Sequence, residues 1–308
     1  MTMKICGTPG CWGVETVNVN TFPWQKVLKE ASEAGYSAIE LGAYGYIPVD
    51  NIPLVTRELE KNNLGIVAGA IFEDLLDDAH LEDVLRQVDD VCTLMTKLPK
   101  LPMQDGQRYE APYMTVMDWG HTERDFNAGH SHIATRLPPK DWDRLVDHYK
   151  TVCQRAASYG VRPVIHPHAG SYVEYSDEID RIMEDIPEEI CGLCLDTGHL
   201  YYSGMDPAEW IYKYADRLDY VHFKDINKNV YEQILTEHIH FFDGCARGTM
   251  CPIGQGVLDY TAIHKALKDI SYSGYITIEQ ECSPDDAIYS LQNVKASIAY
   301  LKSIGFHI

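Results

Sequence analysis

The chain repeats one pattern eight times: a short apolar run of β character, then a longer amphipathic stretch. The runs are MKICGT (3–8), SAIELG (37–42), LGIVAGAIF (64–72), APYMTVMDW (111–119), VRPVIH (161–166), ICGLCLD (190–196), LDYVHFK (218–224) and YITIEQE (275–281). Between and after them, helices are expected over 23–34, 51–63, 79–97, 138–159, 176–186, 206–216, 259–270 and 284–303. Strict alternation of this kind implies parallel strands joined by helical crossovers. Eight units in 308 residues point to an α/β fold, a single (β/α)8 TIM-type barrel. Gly35, Gly65, Gly160 and Gly274 each stand between a helix and the next strand, where a left-handed turn is expected. A doubly wound sheet is the second choice, but Gly7-Thr8-Pro9-Gly10 after the first strand lacks the glycine spacing of a dinucleotide site. No linker or shift of composition divides the chain, so one domain over 1–308 is expected.

Each of the last four runs ends in a polar cluster. They are His166-Pro167-His168, Asp196-Thr197-Gly198-His199, His222-Phe223-Lys224-Asp225 and Glu279-Gln280-Glu281. Catalytic groups of a barrel sit at the C-terminal ends of its strands, so these four clusters are neighbours around half of the mouth. Charged side chains at that density are costly to desolvate unless a cation holds them. His166, Asp196, His222 and Glu279 are the first polar residues at their strand ends and form a candidate metal set. Imidazole with carboxylate suits Mn²⁺, Fe²⁺, Co²⁺ or Zn²⁺.

A residue two positions along a strand faces the same side. His168, Lys224 and Glu281 are therefore expected to point into the pocket, with His199 beside them. His168 or His199 is the expected proton carrier, and Lys224 the group that positions a substrate oxygen. Glu174, downstream of His168, is expected either to complete the metal shell in place of His166 or to bind a hydroxyl. On the other half of the mouth, Glu40 is a candidate substrate-binding carboxylate. Trp12, Tyr44 and Tyr46 are candidate aromatic walls, and Asp118, Trp119 and His121 form a further cluster.

Composition narrows the classes. With 46 acidic against 26 basic residues the formal charge is −20, which repels phosphate backbones and argues against nucleic-acid binding. No run approaches the length of a membrane span, and the N-terminus lacks the apolar stretch of a signal peptide, so the cytoplasm is the expected compartment. Nine cysteines, an odd number without a secreted framework, read as reduced thiols. The Cys191-x-x-Cys194 spacing falls inside a strand and reads as core packing. Two connections are long, 98–111 and 226–257, and the second follows a strand and is expected to lie over the site.

The segments DTGH (196–199), HFKD (222–225), GQGVLDY (254–260) and IEQE (278–281), with the stretch 34–42, resemble the xylose-isomerase-like sugar isomerase/epimerase superfamily. The resemblance spans nearly the whole chain. It implies a barrel that holds one divalent metal at its mouth, Mn²⁺ in the first place and Co²⁺, Fe²⁺, Zn²⁺ or Mg²⁺ otherwise. Many isomerases of the group carry Glu-Asn-His at the end of the fifth strand, where this chain has His166-Pro167-His168. In that respect it resembles the inosose (2-keto-myo-inositol) dehydratase branch. It is also similar to the barrel subunit of C-glycoside deglycosidases, which cleave 3-oxo-glucosides of aryl aglycones with a small β-rich partner subunit. Both branches imply a lyase acting on a keto-sugar or keto-polyol: α-proton abstraction, a metal-stabilised enolate, then β-elimination. A ketose isomerase/epimerase is the alternative, and an oligomer is expected. A DNA-repair endonuclease shares the superfamily but needs a basic groove. A metal-holding sugar-binding module without turnover is the remaining class.

Overall fold

The computed structural model describes residues 3–14 and 22–306. Its strands are β1 (Met3–Gly7), β2 (Ala38–Ile39), β3 (Gly65–Ile66), β4 (Ala68–Glu73), β5 (Tyr113–Asp118), β6 (Arg162–Ile165), β7 (Gly192–Asp196), β8 (Leu218–Phe223), β9 (Asp225–Ile226), β10 (Met250–Cys251) and β11 (Gly274–Ile278). The principal sheet runs β3-β2-β1-β11-β8-β7-β6-β5-β4, with parallel pairing throughout. Only Val67 separates β3 from β4. Its N–H donates to Ile39 O at 3.0 Å and its carbonyl accepts from Tyr113 N at 2.9 Å. The two ends of the sheet are thus one stretch of chain, and the ring closes as an eight-stranded TIM barrel.

The eight expected strands and the eight expected helices are all present, with boundaries moved by a few residues; 284–303 begins as a 3₁₀ turn over Pro284–Tyr289. Each long helix lays an apolar stripe on the barrel. Val84, Val88, Val91 and Met95 of the helix Leu81–Lys97 do so at helical spacing. Two of the four glycines do not turn a helix. Gly65 opens β3 and Asn63, at φ 52°, takes the left-handed position; Gly274 opens β11 while Ser271, at φ 59°, makes the turn.

The two long connections differ in kind. Segment 98–111 precedes a strand and closes the bottom of the barrel. Gln107 Nε2 donates to Tyr113 Oη at 2.8 Å, Tyr275 Oη donates to Pro102 O at 2.8 Å, and Leu101 and Ala111 pack with Cys6, Tyr113, Cys194 and Tyr220 inside the ring. Segment 226–257 is not an open loop: it folds into helices Lys228–Glu237 and Phe241–Ala246. Its neck is the antiparallel pair β9–β10, tied by Asp225, whose carboxylate accepts the N–H groups of Ile226, Gly254, Gly256 and Leu258 at 2.8–3.2 Å. A Cβ on Gly256 would lie 2.1 Å from Asp225 Oδ1, which accounts for a glycine there. Among the described residues, no helix is long and apolar enough to cross a membrane.

Candidate metal centre and active site

Strand register brings the four clusters together. Asp196 of β7 stands opposite His222 of β8, Thr277 of β11 stands opposite His222, and Glu279 N donates to Phe223 O at 2.9 Å. His166 follows β6, its N–H donating to Val116 O at 3.0 Å. The period of two along a strand then stacks Tyr220, His222 and Lys224 on one face, beside Thr277, Glu279 and Glu281.

One ligand atom from each of His166, Asp196, His222 and Glu279 falls within 4.8 Å of the others. Asp196 divides its carboxylate. Oδ1 caps the short helix Thr197–Tyr202, accepting from Gly198 N at 2.7 Å and His199 N at 2.8 Å, while Oδ2 has no hydrogen-bond partner. Both ring nitrogens of His166 are likewise buried and unpartnered, with Nε2 3.8 Å from Asp196 Oδ2. Leaving such atoms unsatisfied is expensive, whereas two imidazoles and two carboxylates make a donor set for a first-row divalent cation. The residues present fit such an ion. Cys194, two residues below Asp196, reaches within the same distance of His166 and His222.

His222 points Nδ1 at Glu279 Oε2, 2.9 Å away. Its Nε2 lies 2.8 Å from Glu40 Oε1, off the line of a hydrogen bond. Glu40 Oε1 in turn accepts from Tyr220 Oη at 2.6 Å. Glu40 thus faces the cavity but also braces a ring of the candidate metal set.

Lys224 is wholly buried. Its Nζ lies 2.8 Å from Glu281 Oε2, 2.9 Å from His199 Nε2, 3.4 Å from Glu279 Oε2 and 3.7 Å from Asp196 Oδ2. Burial opposes its charge, but Asp196, Glu279 and Glu281 outweigh that and hold it well above the usual lysine value. Burial also opposes ionisation of Glu279, yet Lys224 and His222 keep it well below the carboxylate range. Burial, with His168 and Lys224 nearby, drives His199 well below the imidazole range, so that ring is neutral.

Above this floor opens a cavity of about 650 Å³. Glu40, His168, His222, Glu279 and Glu281 line one side. The other side is aromatic: Phe72 stacks on Trp119 at 5.0 Å, and Trp119 meets Phe242 edge-on at 5.0 Å. His168 Nδ1 lies 2.8 Å from Ala169 O, which can only accept, so Nδ1 carries a proton, and Nε2 faces Glu281 Oε1 at 3.6 Å.

Not every expected pocket residue is on the wall. Lys224 and His199 lie behind it, engaged with Glu281 and with each other; Ala169 N also donates to His199 Nδ1 at 3.2 Å. Trp12 is turned into the core, where its Nε1 donates to Glu30 Oε2 at 2.7 Å. Tyr46 is buried, donating to Phe22 O, whereas Tyr44 reaches the cavity rim and bonds Asp90. Glu174 neither lines the cavity nor joins the metal set. It accepts from Gly129 N, Gly170 N and Ser203 Oγ at 2.8–3.0 Å and fastens loops together. Asp118 is a similar knot, accepting from Leu75 N and Tyr172 N, while its neighbour Trp119 does face the cavity. Phe72 and Phe242 were not anticipated, although the Phe241-Phe242 doublet inside a polar stretch was a readable signal.

Comparison with known proteins supplies the wider frame. The family model described as xylose isomerase-like TIM barrel matches residues 28–304. The inosose dehydratase of Geobacillus kaustophilus is 30% identical over 261 residues, covering 84% of this chain and 80% of the relative. That of a Clostridium botulinum strain is 30% identical over 272 residues, 87% and 85% of the two chains. Among solved structures, the probable 3-DHS dehydratase AsbF of Bacillus anthracis superposes with a TM-score of 0.71 at 15% identity, covering 97% and 99% of the chains. The IolI protein with a bound zinc atom gives 0.69 at 15% identity, covering 98% of each.

Proposed function

The chain belongs to the xylose isomerase-like TIM barrel family, and we propose that it is a divalent-metal-dependent lyase that dehydrates a keto-polyol of the inosose type. The observation that carries this reading is the converging donor set of His166, Asp196, His222 and Glu279, in which both His166 nitrogens and Asp196 Oδ2 have no hydrogen-bond partner, lying under a cavity that His168 lines. Similarity to inosose dehydratases over more than four fifths of the chain points the same way. A zinc in IolI, and the mixed imidazole and carboxylate donors, favour a first-row divalent cation, with Mn²⁺ as our first choice.

Bound by these four residues, the cation supplies Lewis-acid polarisation of a substrate ketone. The protein's own groups do the rest. His168 Nε2 accepts the proton from the carbon next to the ketone, with Nδ1 held by Ala169 O so that the ring cannot turn. The C–H electron pair becomes the new carbon–carbon double bond and the β carbon–oxygen bond breaks. The proton on Nε2 passes to the leaving hydroxyl, which departs as water. Lys224 fixes the Glu281 carboxylate beside His168, so its role is to position Glu281 rather than to touch substrate. Glu40 and Tyr220 brace His222 from behind.

The aromatic side of the cavity favours a second reading, elimination of an aryl group from a 3-oxo-glucoside. A volume near 650 Å³ falls in the range of about 300–1,000 Å³ that takes drug-sized ligands, more than a six-carbon polyol fills. The test is turnover by the Mn²⁺-loaded protein of 2-keto-myo-inositol and of the 3-oxo-glucoside of an aryl C-glycoside. Loss of water from the first, abolished by EDTA, supports the dehydratase. Release of aglycone from the second supports the deglycosidase. Silence on both, with metal bound, favours a ketose isomerase/epimerase and moves the assay to free ketoses.

A further inference from the structure

Residues 227–249, between the strands of the β9–β10 neck, meet the rest of the molecule at several points: Tyr231 Oη donates to Tyr202 O at 2.9 Å, Cys245 Sγ lies 3.8 Å from Glu281 Oε2, and at the tip one carboxylate makes two polar contacts. Asp125, in the connection after β5, accepts Phe241 N–H on Oδ1 at 3.0 Å and lies with Oδ2 2.8 Å from His240 Nδ1. The next two side chains are those that reach the chemistry. The Phe241 ring is 5.2 Å from His168 and 5.3 Å from His199, and the Phe242 ring is 5.0 Å from Trp119 and 6.1 Å from His168. Phe126, beside Asp125, stacks on His238 at 4.1 Å, and His238 Nε2 lies 3.0 Å from Asn127 Oδ1.

The neck and the Asp125 contact are unequal. At the neck, the carboxylate of Asp225 is nearly inaccessible and holds four backbone N–H groups. At the tip, the Asp125 and His240 side chains are 22% and 37% exposed. A contact open to solvent is the weaker of the two. We propose that Asp125 is a positioning residue: it latches residues 227–249 as a lid hinged at the β9–β10 neck, and so seats Phe241 and Phe242 against His168. The lid closes the cavity over the substrate and opens for exchange. Only its effect on turnover rests on the function proposed above; the motion itself does not.

The experiment compares Asp125→Ala and Asp125→Asn with the full-length wild type by hydrogen exchange and by acrylamide quenching of Trp119 fluorescence, with Trp119→Phe as the blank. Asparagine keeps an acceptor for Phe241 N–H and a polar partner for His240. In Asp125→Ala, amides of 228–249 should exchange roughly tenfold faster, the scale of losing a hydrogen bond to a charged group. Trp119 should become more accessible to quencher, with the barrel strands unchanged and Asp125→Asn close to wild type. On a substrate that the protein turns over, kcat should fall in Asp125→Ala and be rescued in Asp125→Asn. Unchanged exchange in 228–249 would overturn the proposal, and so would acceleration spread evenly over the barrel strands. If every substrate fails, the exchange and quenching results still decide it.

Discussion

Glu281 faces Lys224 with one oxygen and His168 with the other: Oε2 is 2.8 Å from the ammonium and Oε1 is 3.6 Å from the imidazole Nε2. A buried carboxylate between a fixed cation and an imidazole joins the floor of the site to the cavity wall. Replacing His168 with Ala should leave metal content unchanged and lower kcat by about 10²–10⁴-fold, the usual contribution of a general base. Loss of metal in that variant would make His168 a ligand instead.

His166→Ala removes a donor with no other task, since both its ring nitrogens are unpartnered. Calorimetric titration with Mn²⁺ should show affinity reduced by more than the roughly 10–100-fold that loss of an outer-shell partner costs. The fold should survive in the metal-free protein. Unchanged affinity would remove His166 from the set.

Arg124 is fully buried and grips Glu178 with two parallel bonds of 2.6 and 2.9 Å, with Glu174 3.5 Å away. Arg124→Met takes the paired cation from Glu178, which keeps Arg136 at 3.4 Å and two backbone N–H groups. Denaturant unfolding should show a loss of about 3–5 kcal/mol, the cost of breaking a buried pair. A change below about 1 kcal/mol would mean that the carboxylates find water.

Burial raises Glu174 from 4.5 to about 7, against the opposing pull of Arg124 and two backbone N–H groups. Between those values the folded state binds more protons than the unfolded one, so this group's contribution to stability falls as pH rises from 4.5 to 7 and is level above. The drop is on the order of 3 kcal/mol. Measured against Glu174→Gln, which does not titrate, wild type should lose relative stability over that window. A difference independent of pH would refute it.

Gly198 lets Lys224 pass: a Cβ there would lie 2.6 Å from Lys224 Cγ. Gly198→Ala should cost about 1–3 kcal/mol by overpacking and lower kcat by moving Lys224 off Glu281, while metal content holds. Full activity in this variant would show that the Lys224–Glu281 contact is dispensable.

The barrel was readable because periodicity and strand-end chemistry are local signals. The runs ending at Asp196, His222 and Glu279 declare both a buried strand and where it stops. What was hidden depends on direction in space. Trp12 and Tyr44 both follow apolar runs, yet one turns inward to Glu30 and the other outward to Asp90. Lys224 has the right strand parity, but Glu281 draws its ammonium behind the cavity wall. Glu174 was misplaced because its partners, Gly129, Gly170 and Ser203, offer a backbone N–H or a hydroxyl from distant loops, which no residue pattern announces. Helices 228–237 and 241–246 were read together as one loop because His238, His240, Gly244 and Gly248 interrupt the apolar pattern in and around them.

The neck at β9–β10 makes the segment above it a cassette. Because Asp225 seals both ends of the excursion to one another, residues between them can change in length or sequence without shifting the register of β8 or β11. Selection acting on Phe241, Phe242 and their neighbours can therefore retailor the roof of the cavity while the candidate metal set in its floor is inherited intact, which is how one scaffold comes to serve many chemistries.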